Sequence, residues 1–445
     1  MRILFLTQYF PPETGASQNR LGDLSHRLSA LGHKVTVLTA LPNYPKGEFY
    51  PGYRGRLVMT EDDHGIRIVR TWLYTTKTKS FLRRVLNYLS FSMLSVFVGL
   101  LAVGRVDVVY VDSPPLFLGV SGYLLARLKR AMFVLNVADL WPQSAVALGM
   151  LRNPRLIRWA TRLEEGLYRR SRFVTGQTEG IVESIRRRCP ATSIELLTNG
   201  VATEFIAQVD AARAKRESIR NELGFGSRFI VIYTGVHGLA QGLETMLSAA
   251  QVLAEWDNIK FVLLGDGPEK PKLQALAAEK QQRNVEFLPQ QATSQMPLIL
   301  AAVDACVVPL KRDELFKGAL PSKLFEALGA GVPVIGALDG EARRLVQRSG
   351  GGLVVEPENP ANVAEAILQL SRDPLLCKRL GERGRNYVAS HYDRKVIAER
   401  FESLLVRFAS RAEDLQRPGD SFLKQNSVNA NCPEAISKNQ NETTD

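Results

Sequence analysis

Short runs that are apolar throughout, each followed by a longer amphipathic stretch, recur in two series along this chain. The first series is ILFLT (3–7), VTVLTA (35–40), IRIVRT (66–71), VDVVYVDS (106–113), FVLNVAD (133–139), FVTG (173–176) and IELLTNG (194–200). The second is FIVIYTG (229–235), KFVLLGDG (260–267), VEFLP (285–289), DACVVPL (304–310), VPVIGA (332–337) and GLVVEP (352–357). Runs without polar alternation suit parallel strands covered on both faces. Strand–helix alternation occurring twice predicts an α/β chain of two doubly wound, Rossmann-like domains facing a cleft. A length of 445 residues with 45% hydrophobic residues is enough for two separate cores. The domains read as 1–205 and 206–390, with the polar stretch 203–226 as the passage between them. A helix over 391–410 is expected to cross back to the first domain, and the Asn-rich tail 411–445 reads as disordered.

Four cysteines (Cys189, Cys306, Cys377 and Cys432) stand far apart, with no CxxC or Cys/His cluster. That pattern fits a reducing cytoplasm and argues against a structural metal. The opening MRILFLTQYF carries one Arg and a short apolar run, which reads as a first strand rather than a signal peptide. The formal charge of +12 concentrates at Arg83-Arg84, Arg127-Lys129-Arg130, Arg169-Arg170-Arg172 and Arg186-Arg187-Arg188. Each cluster alone suits a solvated helix face. None is interleaved with aromatic residues as a nucleic-acid groove would be, so an anionic membrane surface is the expected partner and nucleic acid is not. The stretch VLNYLSFSMLSVFVGLLAVG (85–104) holds no charge and lies between Arg83-Arg84 and Arg105. It is long enough to span a bilayer, but the runs on either side should belong to one sheet. Two readings stay open, a buried crossover helix and an in-plane or re-entrant membrane helix.

Ligands of doubly wound sheets bind outside the carboxyl ends of the strands. The first such loop, TQYFPPETGASQNRLGDL (7–24), breaks the strand with Pro-Pro, and Gly15 and Ala16 allow close backbone approach before Ser17 starts a helix. It lacks the G-x-G-x-x-G fingerprint of dinucleotide oxidoreductases; the alternative is a long loop with no ligand. In YTGVHGLAQGLETML (233–247), Gly235, Gly238 and Gly242 thin the loop ahead of a helix whose start can attract phosphate. A plain tight turn would look the same. In FKGALPSKLFEALGAGVPVI (316–335), a helix is predicted to begin after Pro321-Ser322 and to stop at Gly331. Backbone amides of Gly318, Ala319 and Leu320, with Lys323 beside them, suit an anion. Glu326 could accept hydrogen bonds from a diol such as a ribose, so the pair describes a nucleotide diphosphate. The competing reading is a surface i,i+3 ion pair of Lys323 and Glu326.

These segments in this order resemble the family-4 retaining glycosyltransferases of the GT-B fold, from residue 1 to about 405. The carrying motifs are YFPPETGASQNRLGDLSHRLSALGHKVTVLTALPNYP (9–45), DLWPQS (139–144), TNGV (198–201), PSKLFEALGAGVPVI (321–335) and GGGLVVEPENPANVAEAI (350–367). The whole is similar to transferases that build O-antigens and capsules on a lipid carrier, notably the N-acetyl-L-fucosamine transferase type. The resemblance implies a nucleotide-sugar donor, UDP-linked, held by the second domain, and a polyprenyl-diphosphate glycan acceptor on the first. No metal is expected, because protein cations and helix ends stabilise the leaving diphosphate. It implies that Glu326 holds the ribose and Lys323 the diphosphate. Gly15 would approach that diphosphate from the opposite side and Gly235, His237 and Gly238 from below. Such an enzyme would sit in the cytoplasm, peripheral on the inner face of the plasma membrane, through 85–104 and the basic patches.

Three departures from the family pattern stand out. Gly318 stands where the first glutamate of the E-x7-E motif would fall, Val236 and Gln241 replace a common Arg and Lys, and Asn136 replaces a common His. Backbone amides from Gly318 to Leu320 are expected to take over sugar recognition. Asp139 becomes the candidate for positioning the sugar or acceptor hydroxyl, its alternative being an N-cap for the helix near Trp141-Pro142. The rival functions are a sugar-nucleotide epimerase of the same two-domain shape and a non-catalytic nucleotide-sugar-binding scaffold.

Overall fold

The computed structural model describes residues 1–45, 47–77 and 81–416. The first sheet has eight strands in the order β3-β4-β2-β1-β5-β6-β7-β8. They are β1 (Arg2–Leu6), β2 (Lys34–Ala40), β3 (Val58–Asp63), β4 (Ile66–Thr71), β5 (Val108–Ser113), β6 (Met132–Val137), β7 (Phe173–Gly176) and β8 (Ile194–Leu196). The second has six, in the order β11-β10-β9-β12-β13-β14. These are β9 (Phe229–Thr234), β10 (Ile259–Leu264), β11 (Val285–Leu288), β12 (Ala305–Pro309), β13 (Val334–Ala337) and β14 (Gly352–Val355). Every run read from the sequence is a strand. All pairs are parallel except β3 with β4. Strand β3 was not legible as a strand: VMTEDD is polar, alternates between exposed and half-buried, and sits at the sheet edge with no apolar run to reveal it.

Strand order reverses beside β1 in the first sheet and beside β9 in the second. A doubly wound sheet opens its crevice at such switch points. The loops carrying Gly15 and Gly235 leave β1 and β9 there. The polar stretch from 203 is not an open linker. It forms the helices Thr203–Arg213 and Arg216–Glu222, whose Ile206, Val209, Ala212 and Ile219 join the core around Ile230, Leu324 and Phe325.

The uncharged stretch lies in the helix Phe81–Ala102. By length and composition Leu82–Ala102 could cross a membrane, but one side of it packs onto the first sheet's helical layer. Phe91 is fully buried, Ser121 donates to the Ser92 carbonyl at 2.7 Å, and Gly99 lies against Leu125 and Leu38. The other side is open, with Phe97 62% and Leu101 89% exposed. Of the two readings, the structure shows a crossover helix buried along one face and open along the other.

Residues Met1–Phe401 form one compact unit, and Glu402 begins a second. Within the first unit, Phe401 of the helix Arg394–Gln416 packs against Tyr110 of β5 in a tilted arrangement, with ring centroids 4.9 Å apart. Residues 411–416 are helical and correct the reading of a tail disordered from 411 onward; the rest of that tail lies outside the described residues.

Candidate active site

The helix behind Lys323 runs Ser322–Gly329, with Pro321 as an N-cap that offers no side-chain acceptor. A helix start without such a cap leaves first-turn amides available to a ligand. Lys323 does not form the surface pair with Glu326. Its Nζ lies over the Tyr233 ring, 3.7 Å from the centroid, and it has no ion pair among the described residues. Burial pushes the Lys323 ammonium down to about 7, while Cys306 and Glu326 pull it back up. Burial raises the Glu326 carboxyl, opposed by Arg394 and Lys323. A poorly solvated ammonium of this kind gains most when an anion reaches it.

Two loops interlock beneath this cation. Gly235 has φ +117 and Gly265 φ +143, and a Cβ on Gly265 would lie 1.9 Å from the Gly235 carbonyl oxygen. Only glycine permits that approach at these angles. The His237 amide donates to the Asp266 carbonyl at 2.8 Å, and the His237 carbonyl accepts from the Glu269 amide at 3.0 Å. The His237 imidazole is fully buried beneath the turn, against Tyr233 and Phe287, and neither ring nitrogen has a hydrogen-bond partner among the described residues. Burial, with Lys270 and Lys323 nearby, lowers its pKa to about 4, so the ring is neutral. Gly238 is extended and is overlaid by the Gln241 amide, while Val236 faces solvent. The Lys270 ammonium is held by the Gly265 and Leu288 carbonyls at 2.7 and 3.0 Å. Lys323 has no ion pair among the described residues.

The expectation of open amides from Gly318 to Leu320 needs one correction. Leu315–Gly318 winds into a 3-10 turn, and the Ala319 amide donates to the Phe316 carbonyl at 3.0 Å. That amide is used locally because the turn tightens just before Pro321. The same segment meets the first sheet's side of the cleft: a Cβ on Gly180 would lie 2.8 Å from Gly318 Cα. Glu341, in the first turn of the helix Gly340–Ser349, clamps this contact. Its carboxylate accepts from the Glu179 and Gly180 amides at 3.0 and 3.1 Å, at the start of the helix Glu179–Arg188. No local motif marks Glu341, because its partners come from the other half of the chain.

Across the cleft, Gly15 is the N-cap of the helix Ala16–Ala30 and has no side-chain cap. Its neighbour Thr14 is bonded to Gln290, and Thr293 donates to Asn19 Oδ1 at 3.2 Å. Asp139 follows β6 and is exposed. It is not an N-cap: the next helix is Gln143–Ala147, capped by Pro142. Surrounding protein raises the Asp139 carboxyl, with the Ser144 hydroxyl and the Leu140 amide opposing. Asn136 is unavailable for catalysis. It is fully buried, donating to Asp112 Oδ1 at 2.6 Å and accepting from Thr175 Oγ1 at 2.8 Å, and Arg20 pairs with the same Asp112 at 2.6 Å.

A cavity of about 510 Å³ opens between the halves and reaches Glu326 and Arg394, with Asn19, Glu204, Thr293 and Met296 on its walls. The structure therefore groups Gly235, His237, Gly238, Lys323 and Glu326 with the loop Gly318–Leu320 on one side. Gly15 and Asp139 come from the other.

Residues 15–200 match the family described as "Glycosyl transferase 4-like domain", and residues 215–387 match "Glycosyl transferases group 1". The chain is 28% identical over 414 residues to a putative colanic acid biosynthesis glycosyl transferase, WcaI, of Escherichia coli strain K12, covering 90% of this chain and 98% of that protein. It is 26% identical over 428 residues to a GDP-mannose-dependent alpha-(1-6)-phosphatidylinositol monomannoside mannosyltransferase of Mycobacterium tuberculosis, covering 91% and 98%. Among solved structures it resembles Anabaena Alr3699/HepE in complex with UDP-glucose. That likeness has a TM-score of 0.68 at 17% identity and covers 92% of this chain and all of that one.

Proposed function

We propose that this chain, a glycosyltransferase with a 4-like first half and a group 1 second half, moves a sugar from a UDP-linked donor to a lipid-linked glycan in cell-surface polysaccharide assembly. The observation that carries the reading is Lys323, an ammonium without an ion pair among the described residues, held over Tyr233 at a helix start with no side-chain cap beside the glycine turns. In that place the donor diphosphate lies against Lys323 and the first-turn amides, and the ribose hydroxyls reach Glu326. As the bond from sugar C1 to the phosphate oxygen breaks, negative charge grows on the diphosphate. Preorganised donors that meet such charge lower the barrier most, so transfer requires no divalent metal. The acceptor hydroxyl attacks C1 on the face the diphosphate leaves, its proton passing to the departing phosphate oxygen, so configuration is retained. Asp139 positions the sugar or the incoming hydroxyl from the other wall. The E. coli relative named for colanic acid supports a polysaccharide product, of which N-acetyl-L-fucosamine transfer is one case. The mycobacterial relative is named for a lipid-borne acceptor, which supports the acceptor class, although its donor is GDP-mannose. The neighbour solved with UDP-glucose supports the UDP donor. The exposed apolar side of Phe81–Ala102 and the arginine clusters suit a peripheral place on the cytoplasmic leaflet.

The test incubates the full-length protein with labelled UDP-, GDP-, ADP- and dTDP-sugars, with EDTA present, with and without a lipid-diphosphate glycan. Label passing to the lipid only when both substrates are present supports the reading. Nucleotide sugar converted without acceptor indicates an epimerase, and binding without turnover indicates a scaffold.

A further inference from the structure

One guanidinium on the cavity wall has no part in the reading above. The passage 199–201 leads from the first half into the second, between the helix Ser322–Gly329 and the start of the helix Arg394–Gln416. A Cβ on Gly329 would lie 2.7 Å from Val201 Cγ2, and Gly200 is pressed against the Tyr392 carbonyl, where no Cβ would fit. The Val201 amide donates to that carbonyl at 2.9 Å, and the Arg394 amide donates to the Val201 carbonyl at 3.1 Å. The Tyr392 ring in turn packs on Phe325 of the helix Ser322–Gly329, with centroids 5.0 Å apart. Three segments thus cross at one point, and the Arg394 side chain stands there. Its Nε donates to the Gly200 carbonyl at 2.9 Å and its Nη2 to Asn199 Oδ1 at 3.4 Å.

Arg394 and Glu326 open onto the same cavity of about 510 Å³. The other charges on its wall are engaged. Arg27 pairs with Asp23 Oδ2 at 2.8 Å and with Glu204 Oε2 at 2.9 Å, and His26 Nε2 meets Asp63 Oδ2 at 3.1 Å. Asp393, next to Arg394, accepts from the Thr203 hydroxyl at 2.7 Å and from the Lys395 amide at 2.8 Å. Glu326 and Arg394 are left, each without an ion pair among the described residues. Burial raises the Glu326 carboxyl, and Arg394, ahead of Lys323, opposes it. Cys306 of β12 faces the same helix, but burial pushes its thiol up to about 12, so it stays neutral. The helix Pro374–His391 meets Ser322–Gly329 at Leu328 through Gly384, and β13 brings no titratable group. An ionised carboxylate offers acceptors alone, as a diol needs, whereas a protonated one gives up part of that capacity.

We propose that Arg394 is a positioning residue for the donor, placing one positive charge, from the crossing of the three segments, beside the Glu326 carboxylate that receives the ribose diol. The proposal rests on the transferase reading above. Its test titrates uridine, guanosine and adenosine diphosphates, each beside its 2′,3′-dideoxy analogue, into the full-length protein at pH 6 and pH 8. The ratio of the two affinities reads the diol, because the Lys323 contact to the diphosphate is common to both probes and cancels. For the nucleotide bound most tightly, the wild-type ratio is expected to be about tenfold at pH 8. Arg394→Gln keeps a donor for the Gly200 carbonyl but removes the charge. It should match the wild-type ratio within about twofold at pH 8 and fall about fivefold below it at pH 6, where Glu326 takes up a proton more readily without its cation. Arg394→Met is the second neutral variant and should do the same. Arg394→Lys keeps the charge and should restore the wild-type ratio at pH 6. His26 is unchanged across the series, so comparison between variants removes its contribution. A wild-type ratio in both neutral variants, or an equal loss in Arg394→Gln and Arg394→Lys at both pH values, overturns the proposal. A wild-type ratio near one overturns the ribose role of Glu326 and the proposal with it, while diphosphate binding in the same samples still carries the donor site. Absence of nucleotide binding in the wild type would overturn both.

Discussion

The two halves of the chain repeat one plan and differ in where they place their unusual residues. Each winds helices around a mostly parallel sheet and opens its switch-point loop toward the other half. The second half turns its chemistry inward: an unpaired Lys323 over Tyr233, interlocked glycine turns and the clamp at Glu341. The first half turns its oddity outward, as an apolar stripe on Phe81–Ala102 flanked by arginines. Shared topology therefore says little about role, which lies in loops and surfaces grafted onto it.

The contrast breaks most sharply at Lys323. Lys323→Met is expected to lower kcat/KM about 10²–10³-fold, the usual loss when one donor to a developing oxyanion goes, as read by steady-state transfer. A smaller loss would mean that helix-start amides carry most of the diphosphate. The outward helix is checked by stability. Phe91→Ala removes a fully buried ring and is expected to cost about 3–5 kcal/mol in urea unfolding. Phe97→Ala, on the exposed side, should stay within about 0.5 kcal/mol. Similar losses at both sites would mean that the stripe is covered in solution.

Next in size is Glu326→Gln, which removes a charged acceptor from the ribose and is expected to weaken nucleotide binding about tenfold by calorimetry. Glu341→Gln should lower kcat about fivefold with donor KM unchanged, because the carboxylate holds the halves together without touching the donor. An equal rise in KM would place Glu341 at the donor itself. The smallest effect is a pH slope. The Lys323 ammonium sits at about 7 in the free protein, lowered by burial and raised by Cys306 and Glu326. A bound diphosphate favours the charged form, so binding takes up a proton above pH 7. Affinity for a nucleotide sugar should then fall as pH rises from 7 to 8.5, by at most about tenfold per pH unit. Tyr233 and His237 also face this ammonium and stay neutral through that range. Lys323→Arg should flatten the slope.

Much of this plan was legible because buried parallel strands must be apolar along their whole length, as ILFLT and FIVIYT are. The helix start at Ser322 was legible from Pro321, and its end from Gly331, which has φ +63. What escaped was set by tertiary partners. Strand β3 is an acidic edge with one solvated face. The Ala319 amide is consumed by a turn that no local motif announces. Lys323 chooses the Tyr233 ring over Glu326 three residues away, and Glu341 finds its amides on a helix more than a hundred and fifty positions earlier.

The most direct measurement is calorimetric titration of UDP, GDP, ADP and dTDP into wild type and Lys323→Met at pH 7. At least one nucleotide should bind the wild type, and that one should bind the variant at least about tenfold more weakly, the loss of one charge-assisted contact. Equal affinity in both proteins would contradict the claim that this lysine holds the diphosphate.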